Sequence, residues 1–354
     1  MTGVLPAQSL RGLVATGAIT ANPAITDAQV QPASLDLRLG PVAHRVRASF
    51  LAGDRPVSDR VAEFEMHSID LTAGAVLEKG CVYVVPLMES LDLPPGIDGI
   101  ANAKSSTGRL DLLTRTITDG GTEFDRIARG YRGPLYAEIC PRSFSVLARA
   151  GQRLNQLRLR DGRAALDDGE LAALHARTPL VDGPPVIDGG LGFSVDLGPD
   201  LGPRVGWRAK PHAGVIDLDR LNHYHPADFW DELRAHDGHI VLDPGAFYIL
   251  VSREAVTIPP DHAAEMAPYL AMVGEFRVHY AGFFDPGFGL GVPARGVLEV
   301  RCHESPFVLE HGQVVGRLVY ERMAAVPDAL YGLDIASNYQ GQGLKLSKHF
   351  RATV

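Results

Sequence analysis

The sequence is poor in the features that mark several large function classes. Cysteine occurs only three times in 354 residues. Cys81, Cys140 and Cys302 each stand alone in apolar, strand-like surroundings. They read as reduced core thiols and leave no pattern for a disulfide framework or a cysteine-rich metal site. A zinc-dependent deaminase needs a His or Cys two residues before a Glu, followed later by Pro-Cys-x-x-Cys. Ile139-Cys140-Pro141 has the wrong order and no second cysteine, so no zinc site is expected. No Gly-x-Gly-x-x-Gly follows a strand pattern and no Walker loop is present. No apolar run reaches the roughly 18 residues of a membrane helix, and no charged-then-apolar leader opens the chain. A cytoplasmic protein without membrane contact is therefore the expectation. Net positive charge is also lacking. A formal charge of -8 argues against nonspecific nucleic-acid binding, although a local basic cluster can still hold a small anion.

What is present in quantity is turn chemistry, with 38 glycines and 25 prolines. Between the turns lie short apolar or alternating runs. Ser34-Leu35-Asp36-Leu37-Arg38-Leu39-Gly40 alternates at period two and predicts a half-buried strand; Ser194-Val195-Asp196-Leu197-Gly198 reads as its repeat. Ile69-Asp70-Leu71 is matched in the same way by Ile216-Asp217-Leu218. Residues 82–87 and 247–251 read as core strands. Short helices are expected at 9–15, 166–176 and 227–235. This spacing argues a mainly β protein, a barrel or sandwich.

The dominant feature is that one unit occurs twice. Gly80-Cys81-Val82-Tyr83 leads through Pro94-Pro95 to Glu138 and then Gly151-Gln152. Gly245-Ala246-Phe247-Tyr248 leads through Pro259-Pro260 to Glu299 and then Gly312-Gln313. The offset is 165 at the glycines, tyrosines and proline pairs, and 161 at the glutamates and Gly-Gln pairs. So steady a register predicts a duplicated domain. Copy one is expected over 1–160, a linker over 161–190 and copy two over 191–354.

Four stretches carry chemistry. Lys104-Ser105-Ser106-Thr107-Gly108-Arg109 offers hydroxyls, backbone amides and a guanidinium fork suited to a phosphate chain; a polar turn whose serines cap a helix is the alternative. The second, Ala281-Gly282-Phe283-Phe284-Asp285-Pro286-Gly287-Phe288, is a hairpin able to present backbone groups to a planar base. Its Asp285 is otherwise a turn-capping acid. In copy one Ala128 stands where Asp285 stands. Third, Glu138 and Glu299 each sit in an apolar strand, either as solvent-facing acids or as buried proton shuttles. The last is the tail, with Tyr331, Asn338 and Gln342, which is a disordered end or a lid over ligand. His223, His225, His236 and His239 read as surface histidines rather than metal ligands.

Taken in order, these stretches resemble the trimeric dUTPase and dCTP deaminase superfamily, and dCTP deaminases of the two-domain bacterial form in particular. The resemblance implies two tandem dUTPase-like distorted, jelly-roll-like β-barrels with short helical insertions, assembled as a homo-oligomer, a trimer. It implies zinc-free hydrolytic deamination of dCTP to dUTP and ammonia, with Glu299 or Glu138 as general base. Ser105 and Arg109 would hold the water and the glutamate, and Lys104 and Ser106 the phosphates. The Ala281 carbonyl would meet the amine, and Asp285 the deoxyribose 3'-OH. Val297, Tyr331, Asn338 and Gln342 complete the nucleotide contacts. Mg2+ is expected on the triphosphate, and dTTP or dUTP as further ligands. Lys104 replaces the family's Arg and Asn338 its Lys. Copy two lacks the serine motif and copy one the sugar-binding acid, so a working site is expected either to combine the copies or to use Glu138 with Arg109. The competing readings are a dUTP pyrophosphatase, a bifunctional enzyme making dUMP, and a non-catalytic dNTP-binding protein.

Overall fold

Ser34–Arg38 forms the expected strand, but it is buried along its whole length rather than on one face. Leu35 and Leu37 enter the core, and Asp36 is tolerated inside because Lys104 and Arg153 neutralise it. The computed structural model describes residues 2–267, 282–332 and 343–352, with backbone alone at 268 and 276–279. It is mainly β, with short helices.

The chain divides into two compact units. The first comprises Met1–Ala164, Gly214–Arg220 and Met323–Asp328; the second comprises Ala165–Ala213, Leu221–Arg322 and Ala329–Val354. Among the described residues, unit one has two six-stranded sheets. One runs Arg126–Ile127, Ile97–Ala103, Arg153–Asp161, Ser34–Arg38, Val30–Gln31, with Gly3–Val4 also on Arg153–Asp161. The other runs Leu112–Thr118, Arg132–Pro141, Val82–Asp92, Val42–Val46, Glu65–Asp70, with Ile19–Ala21 beside Val82–Asp92. In unit two the larger sheet runs Trp230–Leu233, Gly206–Ala209, Phe247–Val256, Ala294–Cys302, Phe276–His279. A second sheet runs Leu191–Ser194, Val314–Arg322, His262–Pro268, Phe283–Phe284.

Several expected boundaries shift. Residues 161–190 are not a bare linker. The helix Asp168–Arg177 is capped by Asp167, which accepts from the Glu170 amide at 2.9 Å, and it buries Leu171 and Leu174 in the unit-two core. Ile216–Asp217 pairs in parallel with Val146 and Leu147 and belongs to unit one, where Arg149 binds the Asp217 carboxylate at 2.6 Å. At 227–235 the helix is one turn, Pro226–Phe229, because burying both Phe229 and Trp230 turns the chain into the strand Trp230–Leu233.

The same hydrogen bonds recur in the two units. Tyr83 Oη accepts from the Glu78 amide at 3.0 Å, and Tyr248 Oη from the Asp243 amide at 2.7 Å. Gly80 N donates to Pro141 O at 2.8 Å, and Gly245 N to Cys302 O at 3.0 Å. Both glycines hold left-handed φ values, 79° and 71°, which a side chain would disfavour. These bonds also correct one expected equivalence. Leu39 exchanges bonds with Gly151 and Gln152, and Val195 does so with Gly312 and Gln313. Gly40 N donates to Pro86 O, and Asp196 N to Val251 O. Asp196 therefore matches Gly40 rather than Asp36, and the repeat of Ser34–Arg38 is the strand Leu191–Ser194.

Candidate active site

In unit one, Ser105–Gly108 forms a single helical turn with no side-chain cap. The serines therefore do not cap it. Lys104, at its start, turns its ammonium onto the buried Asp36 carboxylate. Ser106, Thr107 and Arg109 are buried, and Thr107 Oγ1 donates to Leu154 O at 3.1 Å.

Glu138 lies on Arg132–Pro141 and is 1% exposed. Its Oε1 accepts from both Nε (3.2 Å) and Nη2 of Arg115, and its Oε2 accepts from Ser49 Oγ at 2.6 Å. The Arg115 guanidinium carbon lies 3.6 Å from the centre of the Phe124 ring, so the cation is sandwiched between a carboxylate and a π face. Beside them Asp125, at φ 64°, accepts from the Thr116 amide at 2.7 Å. Burial pushes its carboxyl up to about 7, against the lowering pull of the Thr116 amide and Arg115; Glu138 adds a smaller upward push.

In unit two, Glu299 is 5% exposed on Ala294–Cys302. By backbone register it faces Ile249 on one side and His279 on the other, as Glu138 faces Val84 and Arg115. The position of Arg115 is thus taken by His279. Val297 is buried two residues before Glu299, on the same face of the strand. In the Asp285-Pro286-Gly287 turn, Phe288 N donates to Asp285 O at 3.0 Å; in unit one, Tyr131 N donates to Ala128 O at 3.1 Å. The two turns match, with alanine in place of the acid. Tyr331 docks on the Asp285 turn, its amide donating to Pro286 O at 2.9 Å and its ring 5.9 Å from that of Phe288. Asp285 and Tyr331 are therefore brought together. Ala281, Asn338 and Gln342 lie outside the described residues.

The hairpins also align one step earlier. Ala101 N donates to Asp125 O, and Met266 N to Gly282 O. This places Phe124 at the sequence position of Ala281. A large ring replaces a methyl group where the base-facing residue is expected, and that ring covers Arg115. Sequence reasoning missed Arg115, Ser49 and Phe124 because their partnership with Glu138 crosses strands. Their one sequence signal was an Arg on the strand Leu112–Thr118.

Among the described residues, no group of three or more His, Cys, Asp or Glu side chains is arranged to hold a metal ion. His223 and His225 instead meet the C-terminal segment. Arg351 Nε donates to His223 O at 3.0 Å, and its Nη1 lies 2.7 Å from His225 Nε2. No helix among the described residues is long and apolar enough to cross a membrane.

Residues 1–163 match the 2'-deoxycytidine 5'-triphosphate deaminase N-terminal domain, and residues 167–350 match the C-terminal domain of the same family. A solved 2'-deoxycytidine 5'-triphosphate deaminase from Agrobacterium tumefaciens is 52% identical, with a TM-score of 0.87, over 91% of this chain and 99% of that one. Curated relatives named "dCTP deaminase, dUMP-forming" include those of Mycobacterium avium and Nocardia farcinica. They are 32% and 33% identical over 137 residues, covering 36% of this chain and 70% and 67% of theirs. Together with the paired carboxylate strands and the Asp285 turn, these matches show that the chain is an enzyme belonging to the dCTP deaminase family.

Proposed function

We propose that the chain replaces the amino group at cytosine C4 of dCTP by oxygen, with Glu299 as general base. Glu299 takes a proton from water as the water oxygen attacks C4, and the C4–N3 π pair moves to N3. The proton passes to the amine, the C4–N bond breaks and ammonia leaves, while the C4 hydroxyl gives its remaining proton to N3 as the carbonyl of uracil forms. Asp285 receives the deoxyribose 3'-OH, and the segment after Tyr331 covers the phosphates. Ser105, Ser106 and Arg109 keep the water- and phosphate-holding roles of the family. Lys104 is assigned instead to fixing the helical turn through Asp36. Mg2+ is assigned to the phosphate oxygens, because the described residues offer no donor cluster for it.

One observation carries the choice between the glutamates. Glu138 has both carboxylate oxygens occupied by Arg115 and Ser49, with Phe124 covering the pair. Glu299 occupies the same strand position opposite His279 and retains the Asp285 turn in its own unit. The matching hydrogen bonds of the two units support an internal duplication in which only copy two kept the base-binding side. The implied homotrimer is checked by mass photometry.

The test is ammonia release from dCTP and Mg2+ by wild type, Glu299→Gln and Glu138→Gln. Loss of roughly 10²–10⁴-fold is expected for Glu299→Gln alone. Full loss in a folded Glu138→Gln protein with an active Glu299→Gln protein would overturn the assignment. dUTP is the proposed product. A second reading, dUMP, is favoured by the names of the curated relatives, and pyrophosphate in step with ammonia would establish it.

A further inference from the structure

A cleft of about 440 Å³ opens within unit two, away from the Asp285 turn in the lining it uses. Its chemistry comes from Ser194, Asp196, Arg253, Glu254, Arg295 and His311. Glu254 accepts from the Ser194 amide at 2.8 Å and from its hydroxyl at 2.6 Å. Arg295 Nη1 donates to Asp196 Oδ2 at 2.5 Å, and His311 Nδ1 lies 3.4 Å from Asp196 Oδ1.

Unit one shows how the matching place is filled by an arginine. There the Glu254 position is Glu89, which accepts from the Arg38 amide and from Arg38 Nε, each at 2.8 Å. The Arg38 guanidinium also donates to Ala24 O at 3.2 Å and Pro23 O at 2.7 Å. Unit two cuts that arginine back to Ser194 and keeps the glutamate. Around the space so freed, unit one has Gly40, Met88, Pro134 and Ala150, where unit two has Asp196, Arg253, Arg295 and His311. Opening and charging of the same space together mark a built site rather than a packing remnant.

We infer that this cleft binds a nucleoside monophosphate, as a second nucleotide site separate from the one that carries Glu299. Asp196 occupies Arg295, whereas Arg253 has no charged partner among the described residues. Its guanidinium lies over Gly312, 3.1 Å from where a Cβ would stand, and Gly312 itself holds a left-handed φ of 81°. Arg253 and the half-exposed His311 beside it match one phosphate group, not three. Asp182, whose Oδ1 accepts from the Ala255 amide at 3.0 Å, offers its other oxygen to a hydroxyl or amino donor on the sugar or base. Pro184, Val186 and Val314 give apolar walls for a ring.

The experiment is calorimetric titration with dTMP and, separately, inorganic phosphate. It compares wild type, Arg253→Ala, Ser194→Arg and Glu299→Gln. Ser194→Arg restores the unit-one residue and fills the cleft while leaving Glu254 a partner. Expected is a dTMP site retained in Glu299→Gln, weakened at least tenfold in Arg253→Ala and absent from Ser194→Arg, with phosphate binding more weakly than dTMP. Binding unchanged in Ser194→Arg, or lost in Glu299→Gln, would overturn the second site. Phosphate binding as tightly as dTMP would overturn the nucleoside assignment.

Discussion

Arg115 and Glu138 lie directly opposite each other on neighbouring strands of unit one, and the guanidinium meets one carboxylate oxygen through both Nε and Nη2. The pair is closed on its other sides by Ser49 and Phe124. On the assignment proposed above, such closure gives the pair a structural role, holding an acid buried inside unit one.

Arg115→Ala should therefore behave as a stability variant. Removing one partner of a buried pair costs about 3–5 kcal/mol, because the other charge is left uncompensated. Arg115 is 29% exposed, so water compensates in part and the lower end of that range is expected. Thermal unfolding should show the loss, while ammonia release per folded molecule stays near wild type. The double replacement Arg115→Leu with Glu138→Leu should recover most of the lost stability, since it removes both charges.

Asp125 gives unit one a pH dependence of defined sign. Its carboxyl is pushed from 3.8 up to about 7, chiefly by burial. Between those values the folded state holds a proton that the unfolded state has lost. The contribution to stability is thus fully present below pH 3.8 and is lost as pH rises through about 7. Asp125→Asn keeps an acceptor for the Thr116 amide and carries no charge. Against wild type, the variant should gain relative stability as pH rises from 4 to 8, read as a growing difference in thermal midpoint. A constant difference across that range would show that Asp125 does not titrate there.

The C-terminal segment is anchored at its far end. The Phe350 ring lies 5.8, 5.5 and 6.3 Å from those of Trp230, Phe229 and Tyr224, and Arg351 N donates to Tyr224 O at 2.9 Å. Tyr331, earlier in the chain, docks on the Asp285 hairpin turn. Phe350→Ala removes the aromatic anchor, a change of about 3–5 kcal/mol in a packed core. Hydrogen exchange should rise across residues 343–352 while unit one stays protected. Turnover of dCTP should fall with it, if the segment after Tyr331 is what covers the phosphates.

Much of this was legible in the sequence, and the misses have physical reasons. Tyr83 and Tyr248 were found by register alone because each needs a fixed spacing from its glycine turn to reach a backbone amide. Asp36 and Asp196 were wrongly equated because a shared Ser-x-Asp-Leu string resembles itself more than it resembles its true partner. Only the ladder through Gly151 and Gly312 fixes the register. The strand at Trp230 was read as helix because local propensity does not show that two adjacent aromatic rings are both buried. Arg115 was passed over because nothing local marks a charge whose partner lies across the sheet.

Asp285 offers a direct test of the sugar assignment. It is 9% exposed in a turn whose backbone is fixed by Phe288 N and by the docked Tyr331. If its carboxylate receives the deoxyribose 3'-OH, a substrate without that hydroxyl makes one hydrogen bond fewer to a charged acceptor. Hydrogen bonds to charged groups contribute about 1.5–3 kcal/mol, or roughly ten- to a hundredfold in kcat/KM. Wild type should therefore prefer dCTP to 2',3'-dideoxy-CTP by about that factor. Asp285→Ala should lower kcat/KM for dCTP by a similar factor and leave the dideoxy substrate almost unaffected, so that discrimination collapses. Ala128 makes the reciprocal case, because it has no carboxylate at the matching turn. Ala128→Asp should leave the dCTP to dideoxy-CTP ratio unchanged, since Glu138 of the same unit remains paired with Arg115. A ratio that moved with Ala128→Asp and not with Asp285→Ala would return the sugar site to unit one.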